Sequence, residues 1–524
     1  MRLKRIRLIT LAVLLTVAVF YVFVKPGEPR ADFSLALIGE VKTLDPAINT
    51  TLLANRVITA LFEGLVRPNP QTLVPEPALA RAWEIAPDGL RYTFHLRPSL
   101  WSDGTPVTAG DFVYSWERLL NPASLASYDY LLFCLENAER YRQGKEKDFR
   151  QVGVTALDDS TLLVALRQPT PYFLDLAGFE CLYPVNRRCV ETHGIRWTRP
   201  GNIVCNGAYR LTQHQLNYKI RLEKNPRYWN AGRVSFNIID AYTCEGVNTA
   251  FNLYETGDAE LIEDFPNLIA EEILKRPDKM VAPYLGTYFY RFNVTKKPFD
   301  DNRVRRAIDL AVNRADIVRY VTKNGEIPAG TLVPPGMPGY PGIPPVLYNP
   351  DSAKKLLAEA GFPGGKGFPS SELLYNTSEN HKKIAEAIAN MLKQTLGITL
   401  VPINMEWKVL LSKMDALDYT IVRGSWIGDY TDPNTFLDMF VTNGGNNRTG
   451  WSHPGYDSLI ARAGRTLAPA ERMPLLAAAE KILVEEGPII NIYYYVTKYL
   501  VKPGLRGLYP NLRGYYDLAD FYRP

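Results

Sequence analysis

The chain has 524 residues, 46% hydrophobic and 22% charged. That is an ordinary globular balance, and too long for one core, so two or more domains are expected. Its net charge of +5 is local in origin: six of the 60 Lys/Arg and one of the 55 Asp/Glu fall within residues 1–30, leaving 54 of each in the body. A neutral body carries no nucleic-acid footprint, and no nucleic-acid partner is expected.

The first segment reads as a targeting element. Arg2, Lys4, Arg5 and Arg7 form a basic flank, and Leu8–Val24 follows without a charge. Seventeen apolar residues lie at the short limit of a membrane span and exceed most signal-peptide cores. No small-x-small cleavage site follows convincingly, and no cysteine precedes Cys134, which excludes a lipoprotein anchor there. We read residues 1–31 as an export signal retained as a single N-terminal membrane anchor, with cleavage as the alternative, the body being exported. Cys134, Cys181, Cys189, Cys205 and Cys244 leave disulfides and free buried thiols both open, although the odd count leaves at least one unpaired.

After the leader, Ser34–Val41 reads as a strand and Leu52–Leu65 has helical spacing. A strand over Arg91–Leu96 and a helix over Ala109–Leu120 follow, and the alternation predicts a mixed α/β protein. Arg303–Val321 is predicted as one amphipathic helix. The Pro- and Gly-rich 334–345 stretch predicts a long loop. Beyond it come a helix over Asp351–Ala360, a strand over Leu373–Asn376, a helix over His381–Leu396 and a strand over Thr399–Asn404. A helix over Ala468–Glu485 and an apolar, aromatic strand over Pro488–Val496 close the list.

The stretch from Arg423 to Tyr430 holds the most pointed chemistry. It sets Asp429 between Trp426 and Tyr430 at the end of the strand-like run Tyr419–Val422. A carboxylate walled in by aromatics calls for a cation, and no Lys or Arg occurs in the next six residues. That leaves a cationic ligand, a turn cap, or a pairing with Arg423. Catalytic spacing is missing: there is no zinc-protease helix, phosphate loop or nucleophile elbow, and the five histidines are scattered. Binding rather than catalysis is the expectation, with no cofactor and no metal.

Several blocks in order resemble the extracytoplasmic solute-binding proteins of peptide ABC transporters, the oligopeptide-binding type, family 5. They are Trp83-Glu84-Ile85-Ala86-Pro87-Asp88-Gly89 through Arg97, then Trp101-Ser102-Asp103-Gly104-Thr105-Pro106 through Trp116. Asn206-Gly207-Ala208-Tyr209, Lys297-Pro298-Phe299-Asp300-Asp301 and Leu374-Tyr375-Asn376-Thr377-Ser378 continue the match. The resemblance implies an α/β, two-lobed periplasmic-binding-protein fold (class II-like) with an extra domain inserted in the first lobe. Mapped here, residues 32–62, 189–283 and 494–524 form the first lobe, 63–188 the insert and 284–493 the second lobe.

The resemblance also implies roles. Asp429 would receive a peptide's terminal ammonium, and Arg423 and His381 its carboxylate at different ligand lengths. Trp407, Trp426 and Tyr128 would line side-chain pockets, and the backbone around Ser425–Ile427 would hold the peptide as an added strand. The partners implied are a peptide ligand and the permease subunits of an ABC importer, with the receptor monomeric. A murein-peptide or other small-solute receptor and a membrane-tethered sensor are the alternatives. Glu263 and Asp264, facing the cleft, would favour basic ligand side chains.

Overall fold

A computed structural model describes residues 28–524. The residues of the leader proper, 1–27, lie outside the described residues. Among those described, no helix is long and apolar enough to cross a membrane.

Two long strands, Lys279–Phe292 and Ile489–Val501, organise the molecule. Both are rich in aromatic and β-branched residues, which fit a pleated surface packed on both faces. They pair antiparallel from Lys279↔Leu500 to Pro283↔Val496, slip, and resume from Thr287↔Tyr494 to Arg291↔Ile489. The slip lies between two halves of one large sheet. On one side, Leu261–Ile262 pairs with the end of Ile489–Val501 and leads through Phe33–Ile38 and Ile238–Cys244 to Lys219–Lys224 and Tyr209–Gln215. On the other, Ile421–Ile427 pairs with Gly286–Phe292 and leads to Ser371–Asn376 and Leu400–Met405. The fold is therefore two α/β lobes joined by crossing strands. A separate four-stranded antiparallel sheet (Ala80–Ile85, Arg91–Leu96, Thr161–Ala165, Val154–Asp158) is built from chain between the first lobe's strands.

The slip is shaped by close packing. Leu285 donates its N–H to the Leu512 carbonyl at 2.6 Å and accepts one from Gly428 at 2.8 Å. At Gly286 a Cβ would strike the Ile427 side chain and lie 3.0 Å from the Tyr495 ring, so glycine lets the strands approach here.

Most predicted elements hold with small shifts: the helices are Leu52–Leu61, Ala109–Leu120, Pro350–Glu359, Glu379–Leu396 and Pro469–Glu486. The predicted helix Arg303–Val321 is broken. It runs Asn302–Ala311, leaves helical geometry at Val312, and restarts because the Asn313 side chain accepts the Asp316 N–H. Buried Arg314 pulls this break inward, donating to the Asn491 carbonyl at 2.6 Å and pairing with Asp309. All five cysteines are free thiols.

Candidate functional site

A cavity of about 580 Å³ lies between residues 130–176 and residues 426–446. Tyr130, Thr170 and Tyr172 line it from one side; Trp426, Asp429, Tyr430 and Asp438 from the other. That volume suits a small ligand held by a few convergent polar groups.

Asp429 stands just past the strand Ile421–Ile427, its N–H donating to Thr435 Oγ1 at 3.1 Å. Burial pushes its carboxyl up to about 6, against the Tyr130 hydroxyl and the more distant Arg513, which favour the charged form. Asp438 in the same cavity is pushed up to about 7, by burial and by the charge of Asp429. Among the described residues neither carboxylate has a Lys or Arg within ion-pairing distance. The turn is capped elsewhere: Asp432 accepts the Asn434 N–H at 2.9 Å and forms a buried, two-pronged ion pair with Arg472. Asp429 is thus neither the turn cap nor the partner of Arg423.

Arg423 lies in the strand Ile421–Ile427, outside the lining of that cavity. Its guanidinium sits 4.6 Å over the Tyr288 ring, donates to the Tyr495 hydroxyl at 3.1 Å and to Asn376 Oδ1 at 3.4 Å, and leaves a buried Nε unpartnered. Among the described residues no carboxylate pairs with it. His381 joins it through Tyr288, whose hydroxyl is 3.2 Å from Nδ1. Burial, reinforced by the Arg423 charge, pushes this imidazole down to about 4, so it is neutral at pH 7. It lies in the first turn of Glu379–Leu396, where Ser378, not His381, is the cap residue.

Between Arg423 and Asp429 the backbone is half open. One edge of Ile421–Ile427 is fully paired, with Ser425 opposite Tyr288 and Ile427 opposite Gly286. On the other edge only Ile421 and Val422 find partners, in Leu373 and Leu374. Among the described residues no strand covers that edge from Arg423 to Ile427. Such an edge is a ready template for an extended chain.

The remaining predicted residues divide. Trp426 lines the cavity, with its indole N–H buried and unpartnered. Tyr128 packs at a tilt against Phe179 and Tyr130 and feels the Asp429 charge, yet of these rings only Tyr130 lines the cavity. Trp407 opens the helix Trp407–Asp415, is 45% exposed and is absent from that lining. Glu263 and Asp264 are already neutralised: Glu263 takes Arg56 at 2.8 Å and the Tyr516 hydroxyl, Asp264 takes Lys498 at 2.6 Å. The expected attraction for basic ligands loses its source. Tyr130, Tyr172 and Asp438 were missed; only the Tyr128-Asp129-Tyr130 run, aromatics around an acid, offered a signal.

The profile of bacterial extracellular solute-binding proteins, family 5 Middle, matches residues 74–448. The chain is 38% identical to the periplasmic oligopeptide-binding protein OppA of Salmonella typhimurium over 480 residues, covering 89% of this chain and 88% of that protein. It is 37% identical to the periplasmic murein peptide-binding protein MppA of Escherichia coli over 482 residues, covering 90% and 89%. Its fold superposes on the unliganded open form of an MppA periplasmic murein tripeptide-binding protein with a TM-score of 0.86, at 35% identity and covering 94% and 97%. The chain belongs to the family 5 bacterial extracellular solute-binding proteins. Membership carries an extracytoplasmic location and a solute-binding role.

Proposed function

We propose that this protein is an extracytoplasmic receptor that encloses oligopeptides between its lobes and delivers them to an ABC import permease, without catalysing a reaction. The observation that carries the reading is the polarity of the site. Among the described residues an open strand edge runs from a buried guanidinium without a carboxylate, Arg423, toward a carboxylate without a cation, Asp429. A zwitterionic peptide laid along that edge has an ammonium for one end and a carboxylate for the other. The two residues are roughly 20 Å apart along an extended chain, and the reach of the arginine shortens the gap to a peptide of a few residues. Backbone pairing holds the ligand whatever its sequence.

The sheet halves support a division near residues 283/284 and 493/494, with Tyr284–Gly286 as the place where closure bends the crossing strands. The receptor acts as a monomer, with its basic, apolar leader as export signal or tether. Fractionation of cells into soluble and membrane pools decides between those two. The murein-peptide reading draws on the likeness to MppA and shares the same anchors.

Native mass spectrometry of the purified protein tests the proposal. Co-purified peptides are expected on the wild type and absent from Asp429→Asn. Retention of the same peptides by that variant would remove the proposed anchor.

A further inference from the structure

Side chains alternate along a strand, so Arg423, Ser425 and Ile427 share one face of Ile421–Ile427 while Val422, Gly424 and Trp426 share the other. On that second face the neighbouring strand sets Arg291 opposite Val422. Arg291 is only 4% exposed, and its Nε is buried with no hydrogen-bond partner. Among the described residues no carboxylate lies within ion-pairing distance. The cations that act on it, Arg448 and Arg423, add to the cost of its charged form. Its compensation within the chain is a seat 4.8 Å over the Phe289 ring. A buried charge left this way is costly unless something else meets it.

Gly424 tells where the guanidinium goes. Its backbone does not require glycine, since it is not among the positive-φ residues. A Cβ there would instead run into Arg291 Nη1 and come within 2.8 Å of the Phe289 ring. The arginine therefore lies over Gly424, in a strand whose edge from Arg423 onward Ser371–Asn376 leaves uncovered. Glycine serves here as a passage for a side chain from the next strand. Trp426, with its unpartnered indole N–H, stands on the same face one step closer to Asp429.

We propose that Arg291 is a specificity residue that receives an acidic side chain of the bound peptide, on the sheet face opposite Arg423. This rests on the peptide reading above and adds a side-chain preference to it. A peptide's side chains alternate as the strand's do, so a position pointing toward the Trp426 face meets Arg291 and its neighbours point away. Glutamate and aspartate offer two oxygens to the planar guanidinium, which glutamine cannot match in charge.

Calorimetric titration with tetra-alanine, and with four derivatives carrying one glutamate each beside their glutamine counterparts, tests this. At one position the wild type is expected to bind glutamate roughly tenfold or more tighter than glutamine. Arg291→Met is expected to erase that difference, and Arg291→Glu to favour a lysine at the same position. The wild-type comparison stands even where a variant folds poorly. Equal affinities for glutamate and glutamine at all four positions, with tetra-alanine bound, would overturn the role of Arg291 alone. A folded wild type that binds none of these peptides would overturn the peptide reading and this inference together.

Discussion

Tyr172 and Tyr430 lie face to face, ring centroids 4.2 Å apart and 7° from parallel. The first follows the strand Thr161–Ala165, the second follows Asp429 directly, and both line the cavity. The stack joins the two walls of the cavity beside Asp429, the proposed anchor. Such a pair contributes about 0.5–1.5 kcal/mol beyond its buried area. Tyr172→Ala is therefore expected to weaken peptide binding by about 2- to 10-fold, with Tyr172→Phe close to the wild type. Titration calorimetry on the three proteins checks this, and equal affinities would place the stack outside the binding equilibrium.

Ligand affinity is expected to fall with acid. Without ligand the Asp429 carboxyl titrates near 6. An ammonium against it favours the charged form and lowers that value in the complex, so binding releases a proton. Affinity is then full once both carboxyls are ionised, above about pH 7, and declines by about tenfold per pH unit below pH 6, until the bound-state value is reached. Asp438, titrating near 7 beside it, begins the decline slightly earlier. Dissociation constants at pH 8, 7, 6 and 5 measure the slope; in Asp429→Asn the steep limb should vanish.

The other end of the ligand has its own signature. Arg423 lacks a carboxylate partner within the described chain, so an amidated peptide should bind the wild type more weakly than the free acid. Losing a charge-assisted contact of this kind costs about 1.5–3 kcal/mol. Arg423→Met is expected to bind both forms alike. A preference for the free acid that survives in that variant points to another donor such as His381, which loses the depressing charge of Arg423 in that variant.

Stability of the loop that presents Asp429 depends on the ion pair beneath it. Arg472 is 2% exposed, donates Nε to the Ala463 carbonyl at 3.0 Å and clasps Asp432. Arg472→Met leaves Asp432 buried without its cation, which costs about 3–5 kcal/mol. A lower denaturation midpoint is expected, together with weaker peptide binding. Unchanged melting would mean that water reaches Asp432.

Much of this was legible along the chain. Apolar spacing located Ala109–Leu120 and Pro469–Glu486 to within a residue or so, because a helix face repeats locally. The run Pro488–Val496 marked a buried strand, although Ile489–Val501 extends past it into the other lobe, where the pattern turns mixed. Asn313 broke a helix that periodicity had carried through, since a side-chain cap competes with propensity one residue at a time.

The sequence by itself determined the family, the α/β alternation and the odd placement of Asp429, all properties of neighbours along the chain. Only the tertiary structure decided what meets what. It put Asp432, not Asp429, at the turn, engaged Glu263 and Asp264 with Arg56 and Lys498, and led Arg291 over Gly424. Those outcomes depend on register between strands and on which distant charge arrives first. Neither is encoded in local spacing, because charge pairs form across the fold wherever burial makes leaving them apart more costly.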